Sequence, residues 1–499
     1  MKDSLILVHS IPFETRVAVI EDGRLAELFL EADDERPLVG NIIKGRVSRV
    51  LPGMQAAFVE IGLEKAGFLY AGDVVSELED LDGDEDRGPR RGEQSPRIED
   101  VVREGQEILV QITKAPIGTK GARLTNFLTL PGRHLVLSPD QRRIGVSRKI
   151  RFAKERARLR AILRDIAPDD MGLIGRTAAE GRTREELQAD RDYLVRLWDT
   201  VQRRARKASA PATVYSELTM PLRVIRDVLS DRYAKILVDD PDEFERIRKF
   251  LESAIPKRAN DVELYQGRRP MLDVYGVERQ MRAALRPTVE LPSGGSIVIE
   301  ETEALTSIDV NTGRFVGKSS LEDTVLQTNL EAAEEISRQL RLRNIGGIII
   351  IDFIDMDLPE NRTKIYNRLK ELFRNDRAKS GIQKISDLGL VEMTRQRLQE
   401  SLTRSIGHRC PHCFGRGYLS DPRLLAGDLY RKLQEAIRAT DKPTEFVIRA
   451  HPWLADYLFD EILPYFESLE LDRRCRIRIL PDEDLAEEQF EIDSRAVAS

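Results

Sequence analysis

Hydrophobic positions in this chain form short uncharged runs and helical repeats, and two of the runs end in carboxylates. Residues 306–311 read Thr-Ser-Ile-Asp-Val-Asn, and residues 348–355 open with four isoleucines before Asp352. Aliphatic runs of this length, bounded by glycine and polar residues, predict strands buried on both faces. Residues 320–343 have apolar positions at helical spacing and no proline, which predicts a crossover helix between two neighbouring strands.

Such a crossover would bring Asp309 and Asp352 side by side at the rim of the sheet. A carboxylate in that position is costly to bury unless a cation holds it. With the amide of Asn311 nearby, the pair suits a Mg²⁺ ion that keeps several waters, and the implied chemistry is that of phosphates. The alternative is a set of solvated strand ends or helix caps. It is disfavoured because Asp309 lies between Ile308 and Val310, where a solvated turn residue is not expected.

Composition and length bound the class of protein. A chain of 499 residues is too long for one core and predicts three or four domains of an α/β multidomain protein. Its 41% hydrophobic and 33% charged residues predict a soluble globular protein, and no apolar run approaches the roughly 20 residues of a membrane span. The amino terminus lacks the features of a signal peptide. Three cysteines argue against a disulfide framework and for the cytoplasm.

The net charge of −6 hides an uneven distribution. Residues 142–164 contain ten Lys or Arg and a single acid, Glu155, whereas the polar residues between 73 and 86 are nearly all acidic. Local basic stripes determine the affinity for phosphates more than the total charge does. The charge pattern is therefore compatible with a nucleic-acid partner.

Residues 40–69 contain short strands punctuated by glycine, with aromatic residues beside basic ones. This pattern is typical of a small OB barrel that stacks single-stranded bases. Phe58 and Phe68 are the candidate stacking platforms, and Lys114 and Lys120 are candidate phosphate contacts, although a lone Phe in a strand is more often a core residue. Residues 75–97 are acidic, then rich in Gly, Pro and Arg, which predicts a disordered loop inserted into the barrel.

A basic and a hydroxyl side chain follow a predicted strand at residues 171–178. Arg176 and Thr177 together could grip a phosphate, but taken alone the pair equally fits an ordinary surface contact. Helical patterns flank this strand at residues 151–166 and 183–207. Residues 213–260 and 262–285 look like the remainder of a domain that begins with the amino-terminal strands.

The motif Cys410-Pro411-His412-Cys413 precedes two glycines, as in a zinc knuckle. Cys475 is predicted to be structural, so each chain supplies two thiolates, with His408 and His412 as possible further ligands. Three interpretations stay open: zinc shared between two protomers, zinc held within one chain, or a redox pair of the kind found in thioredoxin-like oxidoreductases. The redox pair should follow a strand and open a helix, whereas this motif follows a helical pattern at residues 396–405.

These segments resemble the ribonuclease E/G family of bacterial endoribonucleases, in the same order along the chain. The resemblance rests on residues 40–69, 120–122, 132–139, 172–177, 307–313, 346–356, 389–397 and the Cys-Pro-x-Cys knuckle. A chain of this length lacks the long scaffold tail of ribonuclease E and is more similar to the ribonuclease G branch. The acidic insert at residues 75–97 departs from the family pattern.

The resemblance implies a particular domain order. An RNase H-like domain is split between residues 1–38 and 222–284, and the other expected parts are an OB-fold RNA-binding barrel (39–126), a 5′-sensor region (127–221), a DNase I-like catalytic domain (285–406), a zinc link (407–419) and a small C-terminal oligomerisation domain (420–499).

The resemblance also implies roles for single residues. Asp309, Asn311 and Asp352 match the catalytic positions, of which Asp309 and Asp352 match the Mg²⁺ ligands. The positions that match a pocket for a 5′-monophosphate are Gly132, Val136, Arg176 and Thr177. Those that match RNA contacts of the barrel are Phe58, Phe68, Lys114 and Lys120. Those that match the Zn²⁺ link are Cys410 and Cys413.

The implied function is Mg²⁺-dependent hydrolysis of single-stranded RNA in rRNA and tRNA processing and mRNA decay. A 5′-monophosphate is expected to stimulate it, and the products are expected to carry 5′-phosphate and 3′-hydroxyl ends. The expected partners are RNA and further copies of the chain, as a homodimer or homotetramer, without a small-molecule cofactor. The alternatives are a non-catalytic RNA-binding factor and a thiol oxidoreductase using Cys410 and Cys413.

Overall fold

The structure is a computed structural model that describes residues 4–32, 38–70, 81–82, 97–116, 120–150, 152–229, 233–313, 321–386, 389–440, 444–473 and 475–496. The chain divides into two compact units, Met1–Leu402 and Thr403–Ser499. Within the described residues, none of the helices combines the length and the apolar character that crossing a bilayer requires.

The first unit opens with an antiparallel meander. Asp22 and Gly23 both have positive φ, 51° and 76°, as a tight hairpin between strands requires. The meander contains β1 (Leu5–Ile11), β2 (Glu14–Glu21) and β3 (Arg24–Ala32).

A five-stranded barrel follows. Its strand order is β4-β5-β6-β9-β8, and pairing of β4 with β8 closes it, so that its strands leave no open edge. This agrees with the predicted OB-like barrel. The elements of this segment are β4 (Ile42–Leu51), β5 (Ala56–Glu60), β6 (Gly67–Tyr70), β7 (Leu81–Asp82), α1 (Ile98–Val101), β8 (Glu107–Lys114) and β9 (Arg123–Thr125).

The next segment forms a second five-stranded sheet, in the order β10-β11-β13-β12-β7. Its helices were predicted from their periodicity, and Thr183 with Glu186 forms a capping box at the start of α3. The strand after α3 pairs back onto β4 of the barrel. The elements are β10 (Leu130–Pro131), β11 (Leu135–Ser138), β12 (Ile144–Ser147), α2 (Ala153–Ile166), β13 (Gly172–Gly175), a 3-10 turn (Thr177–Ala179), α3 (Arg184–Lys207) and β14 (Ala212–Tyr215).

Most of the insert that was predicted to be disordered, residues 75–97, lies outside the described residues. Its short strand β7 is an exception. The backbone of Leu81–Asp82 pairs with Val146 and Ser147 of β12. An edge strand of the second sheet offers these two residues hydrogen-bond partners, and the disorder of the insert as a whole stays a prediction.

The following segment completes the first sheet. β15 lies parallel to β1, which gives the strand order β16-β15-β1-β2-β3 from residues more than 200 positions apart. The elements are α4 (Met220–Val228), β15 (Lys235–Val238), α5 (Pro241–Ala254), a 3-10 turn (Pro256–Asp261), β16 (Val262–Leu264), α6 (Met271–Val274) and α7 (Val277–Ala284).

The last sheet of this unit, which we call the acidic sheet, contains both strands that end in carboxylates. Its order is β17-β18-β19-β20-β22-β21, and α8 is the crossover helix that makes β19 and β20 parallel, as predicted. The elements are β17 (Thr288–Glu290), β18 (Ser296–Glu301), β19 (Leu305–Asn311), α8 (Leu321–Leu342), β20 (Gly347–Asp352), α9 (Pro359–Leu372), a 3-10 turn (Phe373–Asn375), β21 (Ser380–Ile382), β22 (Leu390–Arg395) and α10 (Leu402–Ile406).

Only one face of the acidic sheet is buried. Ile308, Ile349 and Ile351 pack in one core with side chains of α8 and α9. The alternate positions form an open face, on which Ile348 is 52% exposed. The prediction that these strands are buried on both faces was wrong, because successive side chains of a strand alternate between faces and the uniform isoleucine run hides that alternation.

The second unit has a three-stranded sheet, β24-β23-β25, covered by helices. Leu429, Leu433, Phe446 and Phe466 lie in its core. The predicted helix at residues 396–405 shrinks to α10, because residues 396–401 have no regular structure. The elements are α11 (Pro422–Arg438), β23 (Thr444–Ala450), α12 (Pro452–Tyr457), a π-helical turn (Leu458–Ile462), α13 (Leu463–Arg473), β24 (Arg476–Pro481) and β25 (Phe490–Ala496).

Candidate functional site

The two predicted carboxylates lie directly beside each other. In the parallel pairing of β19 with β20, Asp309 is opposite Asp352, and both are exposed on the open face of the acidic sheet. Asn311 lies two residues further along the same face and donates a hydrogen bond from Nδ2 to Asp309 Oδ2 at 2.8 Å. The three side chains that were selected from the sequence therefore form one cluster.

The electrostatics of this cluster favour a divalent cation. Partial burial raises the pKa of Asp352 above its usual value, and the negative charges of Asp309 and Asp355 raise it further. Carboxylates held this close repel each other, and a bound cation relieves that repulsion. Because Mg²⁺ binds through one or two carboxylates and retains several waters, Asp309 and Asp352 fit it as a donor pair.

A residue that the sequence analysis missed holds the loop after β20. Asn329 on α8 is fully buried, donates from Nδ2 to the carbonyl oxygen of Ile354 at 2.8 Å, and accepts the Ile354 N–H at 3.1 Å. The loop between Asp352 and Asp355 is thereby tied to the helix. The helical pattern of residues 320–343 contained no signal for this role, because the partner is a backbone group.

The predicted aromatic platforms form a cross-strand pair on the barrel. Phe58 is opposite Phe68, their ring centroids are 5.9 Å apart in an edge-to-face arrangement, and both rings are half-buried. The register extends this row on both sides, with Arg49 opposite Phe58, and Arg123 opposite both Phe68 and Lys114. We call these five residues the barrel row. Arg49 and Arg123 were missed, because only strand pairing brings them beside the rings.

Lys120 lies outside the barrel row. It is exposed and precedes Gly121, where a Cβ atom would come within 2.0 Å of the Ala66 carbonyl oxygen. The glycine therefore lets this segment pass close to the loop between β5 and β6, and the backbone of Ala122 accepts a hydrogen bond from Phe68 at 2.7 Å. This packing places Lys120 near the start of β6 in space, although the two are far apart in the sequence.

Arg176 and Thr177 directly follow β13. The Arg176 guanidinium donates from Nη1 to the carbonyl oxygen of Gly132 and to Asp227 Oδ1, the latter at 2.9 Å. The exposed Thr177 has its hydroxyl oxygen 3.2 Å from that of Ser147. Asp227 and Ser147 were not predicted from the sequence.

Gly132 lies in the turn between β10 and β11, and Val136 is in β11 just after this turn. A Cβ atom at Gly132 would lie 2.8 Å from both carboxylate oxygens of Asp190. Asp190 is buried and accepts the backbone N–H groups of Arg133, His134 and Leu135 at 3.1, 2.7 and 2.9 Å. The glycine is therefore required where the chain wraps around a carboxylate.

The register of β11 against β13 sets the neighbours of Val136. Val136 is opposite Ile174, and the Arg176 N–H donates to the His134 carbonyl oxygen at 2.8 Å. Burial lowers the pKa of His134, whose Nδ1 is 2.9 Å from the Ala178 carbonyl oxygen. All four predicted residues of the phosphate pocket thus belong to two adjacent strands and their flanking turns.

Comparisons with known proteins cover almost the whole chain. The Ribonuclease E/G family profile matches residues 129–398. The chain is 42% identical to Ribonuclease G of Haemophilus influenzae over 491 residues, or 98% of each protein. It is 41% identical to Ribonuclease G of Escherichia coli K12 over 487 residues, or 98% of this chain and 99% of that protein. The chain belongs to the ribonuclease E/G family.

Within the ribonuclease E/G family, the chain is more like Ribonuclease G than Ribonuclease E. Ribonuclease E of Haemophilus influenzae is 39% identical over 482 residues, which are 96% of this chain but 50% of that protein. A second profile, described as the RNase E/G thioredoxin-like domain, matches residues 409–495 and covers most of the second unit. The second unit of this ribonuclease E/G member is therefore thioredoxin-like.

The cysteine pair of this family member lies in the loop between α10 and α11. The Gly417 N–H donates to Cys413 Sγ at 3.4 Å, and this and neighbouring backbone amides lower the pKa of the Cys413 thiol. Thiolates are the form that binds zinc, so the knuckle fits that ion. Helix α11 begins only at Pro422, so the motif does not open a helix as the redox alternative expected.

His412 and Cys475 contact other parts of the second unit. His412 has its Nδ1 3.3 Å from Glu487 Oε1. Cys475 precedes β24, partly buried against the core of the second unit, and burial raises the pKa of its thiol. No group of three or more His, Cys, Asp or Glu side chains suited to a metal occurs among the described residues.

Proposed function

We propose that this chain is a Mg²⁺-dependent endoribonuclease that hydrolyses single-stranded RNA and is stimulated by a 5′-monophosphate. Its membership of the ribonuclease E/G family makes it an endoribonuclease of RNA processing. The metal, the 5′ end and the product ends are the proposed parts. The observation that carries the metal-dependent hydrolysis is the pairing of Asp309 with Asp352 on an open sheet face, and the contacts of Arg176 support the role of the 5′ end.

Asp309 and Asp352 would hold the Mg²⁺ ion. When bound, this ion supplies an acidified water and offsets the negative charge of the reacting phosphate. The hydrogen bond from Asn311 fixes the Asp309 carboxylate, so that its orientation does not have to be set during the reaction. Because water and not the ribose 2′-hydroxyl attacks, the products carry 5′-phosphate and 3′-hydroxyl ends.

The barrel row would bind the RNA strand. Phe58 and Phe68 offer ring surfaces for bases, and Arg49, Arg123 and Lys114 bring positive charge to the phosphates. Alternation of aromatic and basic side chains is how sequence-tolerant single-strand binding is built. Lys120, on the segment beside β6, would add a phosphate contact.

The Arg176 pocket would bind the 5′ end. An arginine fork and the Thr177 hydroxyl suit a terminal phosphate, and Gly132 and Val136 shape the turn beside them. Tethering the RNA end raises the effective concentration of the RNA strand at Asp309 and Asp352. A 5′-triphosphate should fit this pocket less well.

We extend the proposal to assembly and location. Cys410 and Cys413 of two protomers would complete one tetrahedral Zn²⁺ site, which gives a homodimer or a homotetramer. The domain assignments made from the sequence stay predictions, as do a cytoplasmic location and rRNA, tRNA and mRNA as substrates. The two alternatives drawn from the sequence, a non-catalytic RNA-binding factor and a thiol oxidoreductase, are disfavoured by membership of an endoribonuclease family.

The test compares cleavage of a short A/U-rich RNA by the wild type, Asp309→Asn and Asp352→Asn, with and without Mg²⁺. We expect both substitutions to lower the rate by about a hundredfold or more, because they remove charge that acts on the reacting phosphate. Glu392→Gln is the matched control, since Glu392 is exposed on the same face opposite Ile350. It should cleave at nearly the wild-type rate.

Three results would reject the proposal. If Asp309→Asn cleaved as fast as the wild type, the acid pair would be structural. If the wild type bound the RNA without cutting it in Mg²⁺, the RNA-binding factor would be the better account. Thiol-dependent reduction of a disulfide substrate without RNA cleavage would instead favour the oxidoreductase.

A further inference from the structure

Four charged side chains are packed beneath the 5′-phosphate pocket. Asp227 on α4 accepts hydrogen bonds from Arg176 Nη1 at 2.9 Å and from Arg226 Nε at 3.0 Å. Arg226 also donates to Glu217 at 3.3 Å, and its side chain and that of Glu217 are less than 10% exposed. Two arginines and two carboxylates thus balance in charge before any ligand arrives.

Asp227 is ionised in this arrangement. Burial works against its charge, but the hydrogen bond from Arg226 and the charge of Arg176 hold the pKa of its carboxyl below the usual value. Its second oxygen accepts from Arg226 Nη2 at 3.2 Å, so both oxygens are held by guanidinium groups. A carboxylate fixed at both oxygens is a rigid anchor for whatever else it contacts.

The hydrogen bonds of Arg176 are confined to one part of its guanidinium. Nη1 donates to Asp227 and to the carbonyl oxygens of Gly132 and Arg133. Nε and Nη2 have no hydrogen-bond partner among the described residues, and the side chain is 29% exposed. Nε and Nη2 form the edge with which arginine binds two phosphate oxygens at once.

We propose that Asp227 is a positioning residue for the 5′ end of the RNA. By holding Nη1 it keeps the guanidinium in the one rotation that leaves the Nε–Nη2 edge available to the terminal phosphate. The inference rests on the proposed stimulation by a 5′-monophosphate and adds the group that makes it possible. Asp227 does not itself contact the phosphate.

The experiment measures kcat and KM of the full-length chain on one RNA carrying either a 5′-monophosphate or a 5′-hydroxyl. In Asp227→Ala we expect the advantage of the 5′-monophosphate to fall about tenfold, because a hydrogen bond to a charged group is lost. The change should appear in KM for the 5′-monophosphate RNA, and cleavage of the 5′-hydroxyl RNA should stay at the wild-type level.

Two further variants are measured in the same experiment. Asp227→Asn keeps the shape of the side chain and removes its charge, so it serves if the alanine variant folds poorly, and it should also lower the advantage. Asp169→Asn is the matched control, since Asp169 is exposed on the turn before β13. This control should leave both substrates unaffected.

The outcomes separate this inference from the function on which it rests. If the wild type does not distinguish the two RNA ends, the proposed stimulation fails and the inference fails with it. If Arg176→Ala loses the advantage while both Asp227 variants keep it, only the inference is overturned. Equal loss on both RNAs in the Asp227 variants would make Asp227 a residue of the fold and would also overturn it.

Discussion

At the scale of single residues, several polar side chains are held by the backbone. Asp190 accepts three consecutive N–H groups, and Asn329 both donates to and accepts from Ile354. A buried polar group is stable only when its hydrogen bonds are satisfied, and backbone partners satisfy them without a complementary side chain. These residues fix the turns on which Gly132 and Asp355 lie.

One residue pair should make stability depend on pH. His9 and Asp239 follow the register of the parallel strands β1 and β15, and His9 Nδ1 is 2.5 Å from Asp239 Oδ2. This hydrogen bond, with a smaller contribution from the charge of Asp239, outweighs burial and raises the pKa of His9 above 6.5. A raised folded-state pKa stabilises the protein fully below the unfolded-state pKa and loses that effect as pH rises through the folded-state value.

We therefore expect the free energy of unfolding of the wild type, relative to His9→Gln, to be greatest below about pH 6.5 and to decrease as the pH rises through the raised pKa of His9. Urea denaturation at several pH values measures this difference. In the background of Asp239→Asn the pH dependence assigned to His9 should disappear. A difference between wild type and His9→Gln that is constant with pH would contradict the prediction.

At the scale of elements, helix α8 joins two sheets. Ile336 and Leu340 pack in the core of the acidic sheet. From the same helix, Arg341 forms ion pairs with Glu21 and Glu27 of the first sheet at 2.9 Å, and Arg338 donates to the Leu25 carbonyl oxygen at 2.9 Å. One helix therefore carries the apolar support of the acid pair and the polar contact with β2 and β3.

Replacing Arg395, at the end of β22, should lower the free energy of unfolding more than replacing most other residues of the acidic sheet. It donates to both oxygens of Asp376 at 2.7 and 3.1 Å and to the Ile345 carbonyl oxygen at 2.6 Å, and both side chains of the pair are 3% exposed. Arg395→Met would leave the Asp376 charge buried without its partner. We expect a loss of about 3–5 kcal/mol in the free energy of unfolding.

Arg368→Met is the control for that measurement. Arg368 pairs with Glu334 and Glu371 on the helix surface, where its side chain is 34% exposed. Surface pairs contribute about 1 kcal/mol or less, so this variant should unfold close to the wild type in urea. Similar losses in both variants would show that burial does not decide the cost.

At the scale of the whole molecule, the second unit presents apolar side chains that its own core does not use. Leu471 is 84% exposed, and Tyr418, Leu424 and Tyr465 are also exposed. Exposed apolar side chains mark a contact surface where they form one contiguous patch. They are compatible with the homo-oligomer proposed for this chain.

The proposed zinc site shared between protomers predicts the effect of replacing Cys413. Cys413→Ser should lower the zinc content and convert the oligomer to smaller species, because the shared site would lose a thiolate from each protomer. Native mass spectrometry and metal analysis measure both effects. Cys475→Ser is the control and should leave both unchanged, since Cys475 is partly buried against the core of its own unit and lies outside the knuckle. Retention of the full assembly in Cys413→Ser would refute the shared site.

The sequence by itself determined the features that local patterns encode. The carboxylates at two strand ends, the crossover helix, the helices at residues 153–166 and 184–207 and the outward Phe58 and Phe68 were all predicted, because periodicity and turn residues act over a few neighbours. The isoleucine run misled, since four identical residues cannot indicate which face is open. Residues 396–401, before α10, have a helical composition but form no helix, because they do not bury an apolar stripe.

Only the tertiary structure decided which distant residues meet. Arg176 is 51 positions from Asp227, Arg49 reaches the Phe58–Phe68 pair through strand register, and β1 pairs with β15 across more than 200 positions. No sequence period connects such residues, because strand pairing and helix packing are chosen by the burial of whole apolar faces. The sequence thus determined which functional side chains are present, and the fold determined which other residues hold them in position.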